Sequence, residues 1–192
     1  MKRSIIYSIF LVMTLGITSC MEEYCNYDRK PRPGEKPPVL FQYEYYNYAW
    51  GFRHHGFLID EYGHVKGFDQ PKEWTAPDSL GMITEAGLLN NLAQCDTVCT
   101  TVEREDLDYY FRKIEDVRDG KIADYGLLMA DAGTGTFSAW SWNEKSGKYE
   151  NIFLISNGDL NRVNTNQDVN PMVEWLKTIG KSTNRFWWFD GK

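Results

Sequence analysis

The sequence predicts an α+β domain built on a mostly antiparallel sheet with about three helices packed on it. Runs of two-residue periodicity are joined by short glycine-containing connections, whereas a parallel crossover needs a dozen residues or more. Three segments repeat their apolar residues at helical spacing. Strands and helices also fall in blocks instead of alternating regularly.

From Val39 to Trp50 the chain is dense in aromatic residues that favour strands. Period two places Phe41, Tyr43 and Tyr45 on one face and Tyr46, Tyr48 and Trp50 on the other, a strand covered on both sides. Phe57 to Asp60 and His64 to Phe68 flank Glu61-Tyr62-Gly63, so Gly63 falls where a three-residue hairpin loop needs a left-handed residue. Helical spacing begins near Ser79, with Met82, Ala86, Leu89 and Ala93 as its stripe and Ile83 and Leu92 widening it. A second helix carries Leu107, Tyr110, Phe111, Ile114 and Val117 on one face, and Gly120 ends it. Tyr125 to Asp131, Thr136 to Asn143 and Lys148 to Ser156 read as three strands of a meander. Asn170 caps a third helix with Pro171 at its first position, Val173, Leu176 and Ile179 on its apolar side, and Gly180 as its stop. The tail Phe186-Trp187-Trp188-Phe189 is too apolar to hang free and is expected to dock on the domain.

The start of the chain is an address. Lys2 and Arg3 form a positive region, and Ile5 to Ile17 an apolar core of signal-peptide length that is too short to span a bilayer. It ends in Ile17-Thr18-Ser19-Cys20, which resembles the lipobox of bacterial lipoproteins. The resemblance implies cleavage before Cys20 and lipidation of its thiol, with acylation of the new amino group. Two or more buried acyl chains make a stable anchor where one is marginal. The competing reading is an ordinary secretory cleavage that leaves Cys20 as a thiol. Met21-Glu22-Glu23 is similar to the short export signal of Bacteroides-type lipoproteins, which implies the outer face of the outer membrane. Residues 1–19 are thus a signal peptide and 20–38 the lipidated cysteine and a tether containing Pro31, Pro33, Pro37 and Pro38. Residues 39–192 form one globular domain.

Removing residues 1–19 takes away two basic residues and no acidic one, so the charge goes from −6 to −8, with 19 basic against 27 acidic residues. Such a balance excludes nucleic acid as an expected partner, because phosphates are neutralised by Lys and Arg. Cys95 and Cys99 are close enough to close a small disulfide ring or to remain thiols. One C-x₃-C pair supplies only two of the four ligands that structural zinc wants, so no metal and no cofactor is expected.

His54, His55 and His64 with Asp60 invite a catalytic reading, since imidazole is a good proton shuttle. If Asp60 and His64 flank the hairpin turn, His55 lies five strand residues from Asp60, roughly 17 Å at 3.4 Å per residue. An Asp60–His64 pair across the hairpin is then a local ion pair. No G-x-S-x-G elbow, H-E-x-x-H helix or phosphate-binding glycine loop occurs in the sequence. The oxygen-rich loop from Asn157 to Asp168 fails the EF-hand pattern, and Asx-turns explain its composition.

Aromatic residues make up 15% of the chain, with seven Trp and twelve Tyr. Trp140 and Trp142 share one face of a strand, and flat aromatic surfaces stack sugar rings or bury a partner's side chains. Trp140, Trp142, Trp187 and Trp188 are therefore the expected binding residues. The function expected is a membrane-anchored binding module for glycan or an envelope protein. The alternatives are a hydrolase using His55 or His64 with Asp60, and an inhibitor or other protein-interaction module.

Overall fold

The computed structural model describes residues 36–49, 51–95, 97–127 and 130–183. The signal peptide, Cys20, Cys25, Trp50, Trp187 and Trp188 lie outside the described residues. The order of elements is β1 (Val39–Asn47), β2 (Arg53–Asp60), β3 (His64–Asp69), β4 (Met82–Ile83), α1 (Glu85–Ala93), β5 (Thr97–Thr101) and α2 (Arg104–Arg118). Then come β6 (Ile122–Asp124), β7 (Thr134–Asn143), β8 (Lys148–Gly158), β9 (Arg162–Asn164) and α3 (Val169–Ser182).

The fold is α+β. One sheet runs β5-β3-β2-β1-β7-β8-β9-β6, with β4 paired to β8, and every pairing between these strands is antiparallel. The aromatic run lies at its centre as β1, between β2 and β7, with both faces covered along most of its length. Alternation sends Phe41 and Tyr43 into a large apolar cluster with Leu107, Ile114 and Val117 of α2 and Met172, Val173 and Leu176 of α3. The opposite face carries a smaller cluster of Val39, Leu58, Phe68, Trp140 and Tyr149 under Ile83 and Leu88. Helices α2 and α3 therefore cover one face, and α1 covers part of the other.

The expected hairpin is present, with Gly63 at φ +88° and its N–H bonded to the Asp60 carbonyl at 3.0 Å. Helix α2 presents the expected stripe. Three expectations change. Met82 and Ile83 form a short strand against Glu150 and Tyr149 of β8, so α1 starts at Glu85 behind the Thr84 cap, whose hydroxyl accepts from Gly87 N–H at 3.1 Å. Its buried side is Gly87, Leu88 and Asn91, while Ala86, Leu89 and Ala93 face solvent. The run from Tyr125 is not a strand where it is described. Instead β6 lies before it, at the far edge of the sheet against β9. Finally, α3 begins after Asp168, holds Pro171 in its first turn where no intrahelical N–H is needed, and passes through Gly180 to Ser182.

The last residues of the expected tether already pack on the domain. Lys36 pairs with Asp108 and lies over the Phe111 ring, and Pro38 accepts a bond from Glu61 N–H.

A Cβ at Gly63 would meet the Val102 carbonyl at 3.1 Å in a left-handed conformation. Gly63→Ala is expected to cost about 1–2 kcal/mol, read as a lower urea midpoint at unchanged slope.

Candidate functional site

Half of the α1 face is not apolar. The register aligns three neighbouring rows of side chains across β2, β1, β7 and β8 on this side of the sheet: Leu58–Gln42–Ser138–Phe153, then Gly56–Glu44–Thr136–Ser156, then His54–Tyr46–Thr134–Gly158. Leu58 belongs to the dry cluster under α1, its row neighbour Gln42 carries an amide, and the next rows carry hydroxyls, a carboxylate and an imidazole. The Trp140 indole N–H donates to Gln42 Oε1 at 3.1 Å, and Gln42 Nε2 donates to Glu44 Oε2 at 2.7 Å. The chain of bonds thus leads from the dry core to a carboxylate whose side chain is 23% exposed.

His54 is buried at 2% exposure beside that carboxylate, with Nε2 3.6 Å from Glu44 Oε2, outside hydrogen-bond range. Neither His54 Nε2 nor Ser156 Oγ, both buried, has a hydrogen-bond partner among the described residues. Buried polar atoms without partners are uncommon and each calls for a reason. Aromatic rings fix the imidazole. Tyr46 stacks on it at 4.0 Å, and the Phe68 and Trp74 rings each approach it at 5.0 Å. Glycine at position 56 makes room, since a Cβ there would lie 2.0 Å from the Tyr43 carbonyl and 2.8 Å from Phe68 Cζ. Burial pushes the Tyr46 phenol above its usual range, and the charge of Glu44 pushes it further.

The rim beyond His54 is open and aromatic. Tyr48, 74% exposed, lies parallel to Tyr46 with centroids 6.3 Å apart, and Phe52, 50% exposed, packs 5.4 Å from Tyr48. Gln70 holds this end in place by donating its N–H to the His54 carbonyl and its side-chain amide to the Phe52 carbonyl. Flat rings next to fixed donors and acceptors are the equipment for holding a polyhydroxylated ring.

The residues expected from sequence are placed differently. Trp140 is 1% exposed, with its indole N–H spent on Gln42, so it is a core residue and not a binding surface. Trp142 shares its face but is half-buried and packs edge-on against Tyr149. Asp60 organises the hairpin: its carboxylate accepts from Tyr62 N–H and His64 N–H, and it faces His64 Nδ1 at 3.0 Å and Lys66 Nζ at 3.4 Å. His55 lies five residues along the same strand on the opposite face, against Tyr45, so the histidines do not converge with Asp60 on one site. Cys95 and Cys99 are not bonded to each other. They lie against different clusters, Cys95 beside the smaller one with its thiol donating to the Asn91 carbonyl and Cys99 beside the larger, which leaves the disulfide ring unformed. Among the described residues, no group of three or more His, Cys, Asp and Glu is placed to hold a metal ion. In the oxygen-rich loop, Asn164 and Asn166 make successive Asx-turns to Asn166 N–H and Asp168 N–H.

Sequence reading missed Glu44, Gln42, Tyr48 and Phe52. The available signal was a polar residue at alternate positions of an otherwise aromatic strand, Gln42 and Glu44, which pair with Leu58 and Gly56 next to His54. No family model matches the chain, no curated protein matches it, and no solved structure matches it.

Burial holds the His55 imidazole below its usual 6.5. The unfolded chain therefore takes up this proton more readily than the fold does, so its contribution to stability is present above 6.5 and is lost as pH falls below it. Thermal midpoints followed from neutral to mildly acidic pH should fall, and His55→Gln should flatten part of that slope.

Proposed function

We propose that this chain is a cell-envelope lipoprotein anchored through Cys20, whose domain is a non-catalytic binding module for glycans. The observation that carries the reading is the meeting of exposed rings, Tyr48 and Phe52, with polar rows whose buried atoms His54 Nε2 and Ser156 Oγ lack hydrogen bonds. A sugar offers an apolar C–H face to such rings and hydroxyls to such atoms.

The hydrolase alternative has less behind it. Glycoside hydrolysis ordinarily uses two carboxyl groups flanking the scissile bond, and the three rows supply one, Glu44. Asp60, the carboxylate first considered for catalysis, is occupied in shaping the hairpin. The anchor rests on the Ile17-Thr18-Ser19-Cys20 segment, and display on the outer face of the outer membrane rests on Glu22-Glu23. No helix of the described residues is long and apolar enough to cross a membrane.

Glycan-array binding of the full chain, followed by tryptophan fluorescence titration of each hit, tests the binding reading. Tyr48→Ala and Phe52→Ala should each weaken a saturable hit by about tenfold, or roughly 1.4 kcal/mol, with little change in thermal midpoint because both rings are largely exposed. A blank array overturns glycan binding. Anchoring has its own test, since Cys20→Ala should move the protein from the membrane fraction to the soluble one; unchanged fractionation rejects the anchor.

A further inference from the structure

We infer that this site selects glycans carrying a protonated primary amine, as in glucosamine units, and that Glu44 is the residue that reads the charge. The inference rests on the glycan reading above and adds the class of sugar.

Charge placement carries it. Glu44 is the only charged residue in the three rows, with His54 the sole other titratable group on them besides the Tyr46 phenol. The cations at the flanks are committed elsewhere. Lys66, across from Leu58, lies 3.4 Å from Asp60, and Arg162, across from Ser156, lies 3.6 Å from Asp124 with its guanidinium over Phe153. Both close approaches to Glu44, from the Gln42 amide and from the His54 ring, go to Oε2. Among the described residues no hydrogen bond reaches Oε1. The site therefore holds a mostly covered carboxylate with one oxygen left over and, among the described residues, no Lys or Arg in ion-pair contact with it.

Covering a carboxylate is costly unless it is paired, and a cation placed beside it gains more there than in water because the local dielectric is lower. A neutral hydroxyl offers Oε1 one ordinary hydrogen bond. An ammonium offers a charge-assisted bond of about twice that strength, and the rings of Tyr46, Tyr48 and Phe52 add attraction for a cation over their faces. A uronic acid at the same place would meet like charge. Buried His54 contributes a second sign that these rows are arranged for a ligand, since its Nε2 faces the same oxygen without bonding to it.

The test compares two probes that differ only at the nitrogen: a β-1,4-linked glucosamine hexamer and its fully N-acetylated counterpart. Each is titrated into the full chain at mildly acidic pH, where the free amines are protonated, with tryptophan fluorescence as the readout. The free-amine hexamer should bind at least about tenfold more tightly. Glu44→Gln should abolish that preference, bringing the two hexamers to within about twofold of each other, and an unchanged cooperative thermal transition reports that the variant is folded. Because the whole protein is acidic, Glu174→Gln, at an exposed position of α3, serves as the control for general attraction of a polycation, and it should keep the preference. Equal wild-type affinity for the two hexamers overturns the amine inference and leaves glycan binding standing, whether or not any variant folds. Loss of preference in Glu174→Gln as great as in Glu44→Gln overturns it as well. If wild type binds neither hexamer and the array is also blank, both readings fall.

Discussion

The structure depends on one constraint: the central strand β1 must be buried from both sides. Its neighbours β2 and β7 satisfy its backbone, but Leu40, Phe41 and Tyr43 need apolar cover on one face and Val39 on the other. Each such side chain contributes about 1.5–3 kcal/mol when fully buried. Helices α2 and α3 meet the larger demand, with Tyr110 stacked on Trp175 and Trp175 in turn edge-on to Phe41. Asn164 joins the pieces, since its amide donates to the Val117 carbonyl at the end of α2 and to the Phe153 carbonyl in β8.

The second face is covered unequally, for a reason of length. A helix of nine residues is about 14 Å long, whereas a strand of nine residues spans roughly 30 Å. Helix α1, with the segment around Trp74, covers the end of the face where Leu58, Phe68 and Trp140 lie and stops there. Beyond it the side chains of this face change from apolar to polar within one residue pair, from Leu58–Gln42 to Gly56–Glu44. Gln42 stands at that boundary, with its oxygen turned to the dry indole of Trp140 and its nitrogen turned to the carboxylate of Glu44.

What could be read from the sequence was what local pattern determines. The β2–β3 hairpin is specified by Gly63, and the stripe of α2 repeats without interruption, so both were legible. The start of α1 was not, because Met82 and Ile83 fit a helical stripe equally well and are claimed by a distant strand, β8. Strand order was likewise out of reach: β6 precedes β7 in the chain yet lies at the far edge against β9. The candidate site was the least legible part. Tryptophan identity does not distinguish a core ring such as Trp140 from a surface ring, and the row Gly56–Glu44–Thr136–Ser156 is assembled from strands more than a hundred residues apart.

Under the proposed reading, the polar rows also set stability against function at one place. Apolar residues of similar volume at positions 44 and 54 would extend the dry cluster from Trp140 and Phe68, and exchanging a covered polar pair for packed hydrocarbon is often neutral or stabilising by about 1–4 kcal/mol. The fold keeps Glu44 and His54 instead, and it surrounds the imidazole with Tyr46, Phe68 and Trp74 so that its position is set before anything arrives. Preorganisation of this kind lowers the entropy cost of binding. The rigid centre of the sheet is thus where a polar site can be held most accurately, because β1 is fixed by strands on both sides and by the core beneath it.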